Sequence, residues 1–478
     1  MIKSNMKEFK TNKVLITSNF ETGDCSVGVI HIGVGNFHRA HQALYFNKIL
    51  NEKKSSNWGI AGINLRSQDR KLIADLKKSK NQYILKTVSA QGEVIYEEIK
   101  SILALYDWKD SEDKIQKLFT SNNVQLITIT VTESGYYFDK NDNLKLFTKD
   151  IKSDLSGKVP VTVFGALARG LKARMDTNGK PITVASCDNI QENGIMLKKC
   201  FFQYLHAVND EELLKWVENN VSFPSSMVDR ITPKISKNEL NKIQETFNRS
   251  EDCPVISEDF IQWVIEDNFA GKKPPLDLVG VEIVEDVEPY ENTKIKILNG
   301  GHIALAYLGV LYGYKTYDTA IRDEELSVFF DSIQSKEIIP SLPNKSPINY
   351  KEYLTTTKNR FQNQHLPDSL SRICMDGVSK FPIFLMPVIE WHFSRGLIPS
   401  LSLKAIASWY VFLCHVFQDK IEFEYVEPKW SMLTPFLVED GEIGFASDAE
   451  LWGEIPSKYP DFIECLFKEI QALKERFG

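Results

Sequence analysis

The sequence predicts an α/β domain built on a parallel, helix-covered sheet, followed by a mainly α-helical C-terminal domain. Three observations predict it. Short β-rich runs alternate with helical stretches over the first half of the chain; near the N-terminus a strand, a glycine turn and a helical pattern follow one another directly; beyond Pro289 long helical patterns dominate and β-rich runs become scarce. At 478 residues the chain exceeds one typical core, so two large domains are expected. The boundary falls near residues 283–290, giving domains of residues 1–285 and 286–478.

The first strand, Val27 to Ile32, is a short apolar run that stops at Gly33-Val34-Gly35, and a helical pattern then continues through Leu50. A second strand is read from Trp58 to Leu65 and a third from Val124 to Val131, where β-branched residues cluster. Ile182 to Ala185 forms another, leading into Ser186-Cys187-Asp188-Asn189. In the C-terminal half, Leu401 to Phe417 is the clearest helix, and Ser335 to Tyr350 reads as a proline-punctuated loop.

Composition narrows the function. Hydrophobic residues at 43% and charged residues at 25% are soluble, globular proportions, which disfavours disordered and membrane classes. A net charge of −7 argues against sequence-independent binding to a phosphate backbone, so nucleic acid is not an expected partner. The seven cysteines are scattered and contain no C-x-x-C pair, which points to a reducing cytoplasm rather than a disulfide framework or a thiolate zinc site. Met1 to Lys13 lacks an apolar core, and no later run reaches about 18 uninterrupted apolar residues, so neither a signal peptide nor a membrane span is expected.

The most informative segment is Tyr290 to His302. As an α-helix it carries Lys294, Glu291, His302 and Asn299 at about 0°, 60°, 80° and 140°, so a base, a carboxylate, an imidazole and an amide share a face. That set suits alcohol–carbonyl chemistry without a metal. Pro289 and Glu291 suit a helix start. Gly300 and Gly301 each weaken a helix by roughly 1 kcal/mol, which implies close approach of another backbone or a ligand. The bland alternative is an ordinary Glu291–Lys294 ion pair with Asn299 and His302 at a domain seam.

A Gly-x-Gly directly between strand and helix turns the chain tightly and brings backbone N–H groups to a pyrophosphate. Here His38 replaces the third glycine of the dinucleotide fingerprint, so the local match is incomplete. Asp69, past the second strand, is placed to accept from an adenosine ribose and to repel a 2′-phosphate, favouring NAD; Arg66 and Arg70 beside it favour a phosphate. His38 and His41 lack a third ligand nearby and read as structural, and Cys187 reads as a small buried residue.

Several blocks occur together: His31 to Gln42 around the glycine turn, Thr132-Glu133-Ser134-Gly135-Tyr136, Ser186-Cys187-Asp188-Asn189, Met227 to Pro233, and Lys294 with Asn299 and His302. On these the chain resembles the polyol-specific long-chain dehydrogenase family, most of all its mannitol-oxidising branch. The tilt towards that branch rests on Leu65 to Arg70, His302 to Gly309 and Ser379-Lys380-Phe381-Pro382.

The resemblance implies a Rossmann-like nucleotide domain, a helical C-terminal domain and a metal-free active site between them. It makes Lys294 the general base, Asn189 and Asn299 the donors that polarise the substrate oxygen, His302 a further catalytic group, and Glu291 the link from the lysine to solvent. Gly33, Gly35, Phe37, Arg66, Asp69, Thr132, Glu133 and Asp229 fall to the cofactor, and Arg372 and Lys380 to the polyol. Gln68 stands where close relatives carry a second acidic residue, so NADP is not excluded.

The expected reaction is oxidation of mannitol to fructose with NAD. Lys294 must start neutral, and desolvation together with positive charge from His302 and the nicotinamide is the expected cause. The alternatives are a hexuronate reductase acting on D-mannonate, a D-arabitol dehydrogenase, and an inactive nucleotide-binding regulator. A monomer is expected.

Overall fold

The computed structural model describes residues 14–52, 55–139, 141–249, 253–438 and 440–478; the Met1 to Lys13 stretch discussed above lies outside them. The chain forms two compact units. The first runs to Glu288 apart from Ala90–Gly92, and the second comprises Ala90–Gly92 with Pro289–Gly478.

The N-terminal unit is organised by a six-stranded sheet. Its strands in chain order are β1 (Val27–Ile32), β2 (Gly59–Asn64), β3 (Ile102–Asp107), β4 (Leu126–Ile129), β5 (Ile182–Ser186) and β6 (Val221–Ser222). They lie side by side as β3-β2-β1-β4-β5-β6 and every pairing is parallel. This is the doubly wound order in which the chain reverses direction across the sheet between β1 and β4, opening a crevice at the strands' carboxyl ends. Strands β2, β4 and β5 are buried throughout, as expected when helices cover both faces. A four-stranded sheet (Leu15–Ile16, Val94–Ile99, Tyr83–Val88, Val255–Glu258) and a three-stranded one (Ser226–Asp229, Gln262–Glu266, Glu282–Val284) complete the unit.

One local expectation changes. The helix after the glycine turn is two helices, Asn36–Ala40 and Gln42–Asn51, broken at His41, which has φ −120° and ψ −90°. The imidazole Nε2 of His41 lies 2.8 Å from the Gln262 carbonyl, which holds the break in place.

In the C-terminal unit, helix Ser400–Phe417 is the axis of the core, with Leu403, Ile406, Trp409 and Phe412 fully buried. By length and composition alone it is long and apolar enough to cross a membrane, but most of its surface is covered by the helices around it. Its start is held by the buried Glu337, whose carboxylate accepts from Leu401 N (2.8 Å), Ser402 N (2.7 Å) and Ser402 Oγ (2.6 Å). Glu337 lies in a π-helix, Gln334–Ile338, followed by a 3₁₀ turn at Ile339–Ser341. The stretch read as a loop from Ser335 is therefore helical for its first seven residues, because buried partners, not local propensity, decide it.

Candidate active site

The N-terminal unit holds a pocket at the carboxyl ends of β1, β2 and β4. Gly33 has φ +101°, and a Cβ there would sit 2.0 Å from the Thr130 carbonyl oxygen, so both conformation and space demand glycine. Gly35 has nothing within 4 Å of where its Cβ would be, leaving its backbone open to the pocket. Thr130 Oγ1 donates to the Gly33 carbonyl (2.7 Å), tying the glycine turn to the end of β4.

Of the residues expected to hold a cofactor, Gly33, Gly35, Arg66, Asp69 and Thr132 line this pocket. The neighbouring Phe37 stacks on His41 at 4.9 Å, and Glu133 is exposed at the start of a 3₁₀ turn. Asp229 is buried at the end of Ser226–Asp229, in the three-stranded sheet. Arg70 is committed to Asp107 at 2.9 Å, while the Arg66 guanidinium makes no hydrogen bond or ion pair among the described residues. Between Arg66 and Arg70, only Arg66 is thus available to a ligand.

Sequence reasoning missed Asp188. Its carboxylate, buried after β5, accepts from Val131 N (3.0 Å), Thr132 N (2.8 Å) and Tyr136 Oη (2.8 Å). Burial raises its pKa to about 6 despite these donors. Thr132 is held at φ +65°, a strained conformation for a β-branched residue, and the Asp188 contacts over-determine it. Asn189 follows directly and is exposed at the carboxyl end of the sheet. The signal was present in the Ser-Cys-Asp-Asn block, but nothing in it says which neighbour is structural. Cys187 is buried as read, and burial pushes its thiol well up.

In the C-terminal unit the Lys294 segment departs from the expected α-helix. Glu288–Thr293 is α-helical, Lys294–Gly300 is a π-helix, and Gly301–Leu311 returns to α. A π-helix bonds i to i+5, so residues five apart become neighbours on successive turns. Lys294 and Asn299 are such a pair. The wider winding therefore reduces the angle between Lys294 and Asn299 below the 140° of an α-helix, and the two stay on one face as expected. Lys294 and Glu291 are buried, at 8% and 5% exposure.

Gln334 supports the π-turn: its amide Nε2 donates to the Ile297 carbonyl at 2.8 Å. It occupies the room that a Cβ on Gly301 would fill, 2.4 Å away, and Tyr317 Oη donates to the Gly301 carbonyl at 2.9 Å. The close approach expected at the glycines is made by side chains, with the Phe384 carbonyl 3.3 Å from a Cβ on Gly300.

His302 stacks on Phe361 (4.2 Å between ring centres) and meets Tyr317 edge-on (4.5 Å). Burial lowers its pKa to about 3, so the ring is neutral across physiological pH. This corrects the expectation that His302 supplies positive charge to Lys294. Its Nε2 is buried without a partner among the described residues, an acceptor or donor awaiting one. Arg372, Lys380, Arg360 and Asp368 lie within its electrostatic reach, so the two residues expected to contact a polyol share its surroundings. Arg372 is bound by Asp368 in a two-point ion pair (Nε to Oδ1, 2.8 Å), and Lys380 Nζ donates to the Ile373 carbonyl at 2.8 Å. Among the described residues no group of three or more His, Cys, Asp or Glu side chains is placed to hold a metal ion.

Known proteins match along most of the chain. Residues 27–278 match the model of the mannitol dehydrogenase Rossmann domain, and residues 286–471 that of the mannitol dehydrogenase C-terminal domain. The chain is 32% identical to D-arabinitol 4-dehydrogenase of Klebsiella pneumoniae, covering 93% of this chain and 97% of that one. Among solved structures it is similar to a substrate-free D-sorbitol dehydrogenase (TM-score 0.89, 30% identity, 97% and 96% of the two chains). It is also similar to Pseudomonas fluorescens mannitol 2-dehydrogenase in ternary complex with NAD and D-mannitol (TM-score 0.84, 31% identity, 97% and 94%). Two family models that together span most of the sequence, and relatives matched almost end to end, leave one assignment: the chain belongs to the mannitol dehydrogenase family of polyol dehydrogenases.

Proposed function

We propose that this chain is an NAD-dependent secondary-alcohol dehydrogenase that interconverts D-mannitol and D-fructose, with Lys294 as general base. The observation that carries the reading is that buried Lys294 opens a π-helical turn that also carries Asn299. The glycine pocket suits the dinucleotide: Gly33 closes the turn, Gly35 leaves backbone open, and Asp69 lines the far side as a ribose acceptor. The free Arg66 beside Asp69 favours some tolerance of NADP. Gly33, Gly35 and Asp69 would hold the dinucleotide, which would supply a hydride acceptor for the carbinol carbon.

The chain's own residues handle the proton and the charge. Lys294, with its amine neutral, accepts the hydroxyl proton. The amide donors of Asn299 and Asn189 stabilise negative charge developing on the oxygen, each donor of this kind being worth roughly 3–4 kcal/mol. Neutral His302 offers its unpartnered Nε2 to a substrate hydroxyl. Glu291 passes the proton onward. In the reverse direction protonated Lys294 acts as the acid.

The test is NADH formation at 340 nm with mannitol, D-arabitol, sorbitol and mannonate, for wild type and Lys294→Ala. Mannitol turnover that falls by roughly 10³ in the variant supports the reading, since a positioned base contributes 10²–10⁴. Activity on mannonate alone moves it to a uronate reductase. An enzyme unaffected by the substitution removes Lys294 as base, and dinucleotide binding without turnover of any polyol supports the inactive regulator. D-arabitol is the second reading, favoured by the end-to-end similarity to the Klebsiella enzyme.

A further inference from the structure

The C-terminal unit contains a second cavity, on the other side of the Lys294 helix. Asn292 and Lys296 lie two residues to either side of Lys294, hence near the opposite face, and both line this cavity. Its volume of about 350 Å³ is that of a small-metabolite site rather than of a bound water. Ser341, Asn344, Trp391 and Arg395 also line it.

Two cations line the cavity and no carboxylate does. Lys296 Nζ has only a long contact to the Ser341 carbonyl, 3.4 Å. The Arg395 guanidinium lies over the Trp391 ring, 3.9 Å from its centre, and its Nη1 donates to Trp391 O (3.0 Å) and Ser394 Oγ (3.1 Å). Neither forms an ion pair among the described residues. Burial holds the Lys296 ammonium below its usual range, so it is partly desolvated without compensation. In a chain of net charge −7, two cations without an ion pair among the described residues thus share one cavity. Two positive charges match a dianion, and a phosphate monoester carries about −1.5 to −2 at pH 7. The planar fork of Arg395 suits paired phosphate oxygens, Lys296 acts as a point charge, Asn344 adds an amide, and Trp391 gives an apolar wall for a sugar carbon skeleton.

We propose that this cavity is a second ligand site, distinct from the polyol and nucleotide sites, that binds a small sugar phosphate through Lys296 and Arg395.

The test is isothermal titration of the full chain with a hexose 6-phosphate, using the free hexose as control. Saturable binding of the ester alone is expected, weakened roughly tenfold or more by Lys296→Met and by Arg395→Ala, each of which removes a charge-assisted contact. Arg66→Ala, in the nucleotide pocket, is expected to leave it unchanged. Arg395 is exposed, so its variant keeps the test decisive if Lys296→Met fails to fold. Hydrogen exchange at residues 292–298 and 340–344 is expected to slow with the ester. Absence of saturable binding, equal binding of the free hexose, or binding lost in Arg66→Ala and retained in the two cavity variants would overturn the proposal.

Discussion

Asp188 shows how a single buried carboxylate ties a loop to a pocket. Its two oxygens take the backbone N–H groups of Val131 and Thr132, both of which line the glycine pocket. Its pKa is raised from 3.8 to about 6, burial outweighing three donors. A carboxyl whose folded value lies above its unfolded value takes up a proton on folding between those values, so its contribution to stability falls as pH rises from about 4 to 6. The shift corresponds to about 3 kcal/mol at 1.36 kcal/mol per unit. Asp188→Asn abolishes that titration. Wild type is therefore expected to lose about 2 kcal/mol relative to the variant between pH 4 and pH 7, read by denaturant unfolding at both pH values. A difference that is flat with pH would show that Asp188 ionises normally. At pH 7 the variant is also expected to bind NADH less tightly, because its amide NH₂ faces backbone donors that need an acceptor.

The π-helical turn at Lys294–Gly300 is the element on which the proposed chemistry depends. Gly301→Ala would place a methyl 2.4 Å from Gln334 Nε2 and 2.9 Å from Phe330 Cε2. Gln334 is fully buried and has nowhere to retreat, so its bond to the Ile297 carbonyl is expected to break. The Ile297 carbonyl keeps the Gly301 N–H, but the buried Gln334 amide loses its acceptor, at a cost of about 1–3 kcal/mol. Distortion of the turn that carries Lys294 and Asn299 is expected to lower kcat by roughly 10- to 100-fold with a smaller change in KM, since misplacement of about 1 Å has effects of that size. A variant that melts lower with kcat intact would separate the π-turn from catalysis. Lys294, Asn299 and His302 were legible as a polar set in the sequence, but their winding was not, because the turn is held by Gln334, 37 positions along the chain from the Ile297 carbonyl it binds. The strands tell a similar story. Val27–Ile32 was legible because a glycine turn ends it, whereas Ile102–Asp107 follows Val94–Ile99 after only Lys100 and Ser101, with no glycine or proline to mark it.

At the scale of the whole molecule, the parallel sheet and the change to helices beyond Pro289 were written in hydrophobic patterning, while the four- and three-stranded sheets were not. Their strands pair across long sequence separations, as Val255–Glu258 does with Tyr83–Val88, and no local pattern encodes such pairing. The division into two compact units has a testable consequence. The pocket for the proposed dinucleotide is built wholly from the N-terminal unit, and the Lys294 turn wholly from the C-terminal one. A ligand present at 100 times its dissociation constant adds about 2.7 kcal/mol to whatever structure must be intact to bind it. NADH alone is therefore expected to slow amide exchange at residues 33–35, 64–69 and 130–137, the backbone that lines the pocket. Slowing at residues 291–302 is expected to need the polyol as well, since Lys294, Asn299 and His302 are proposed to meet the substrate. Hydrogen–deuterium exchange with NADH, and then with NADH and mannitol, separates the two effects. Protection by NADH at 291–302 with none at 33–35 and 64–69 would place the nucleotide on the wrong unit and with it undo the assignment of the glycine pocket.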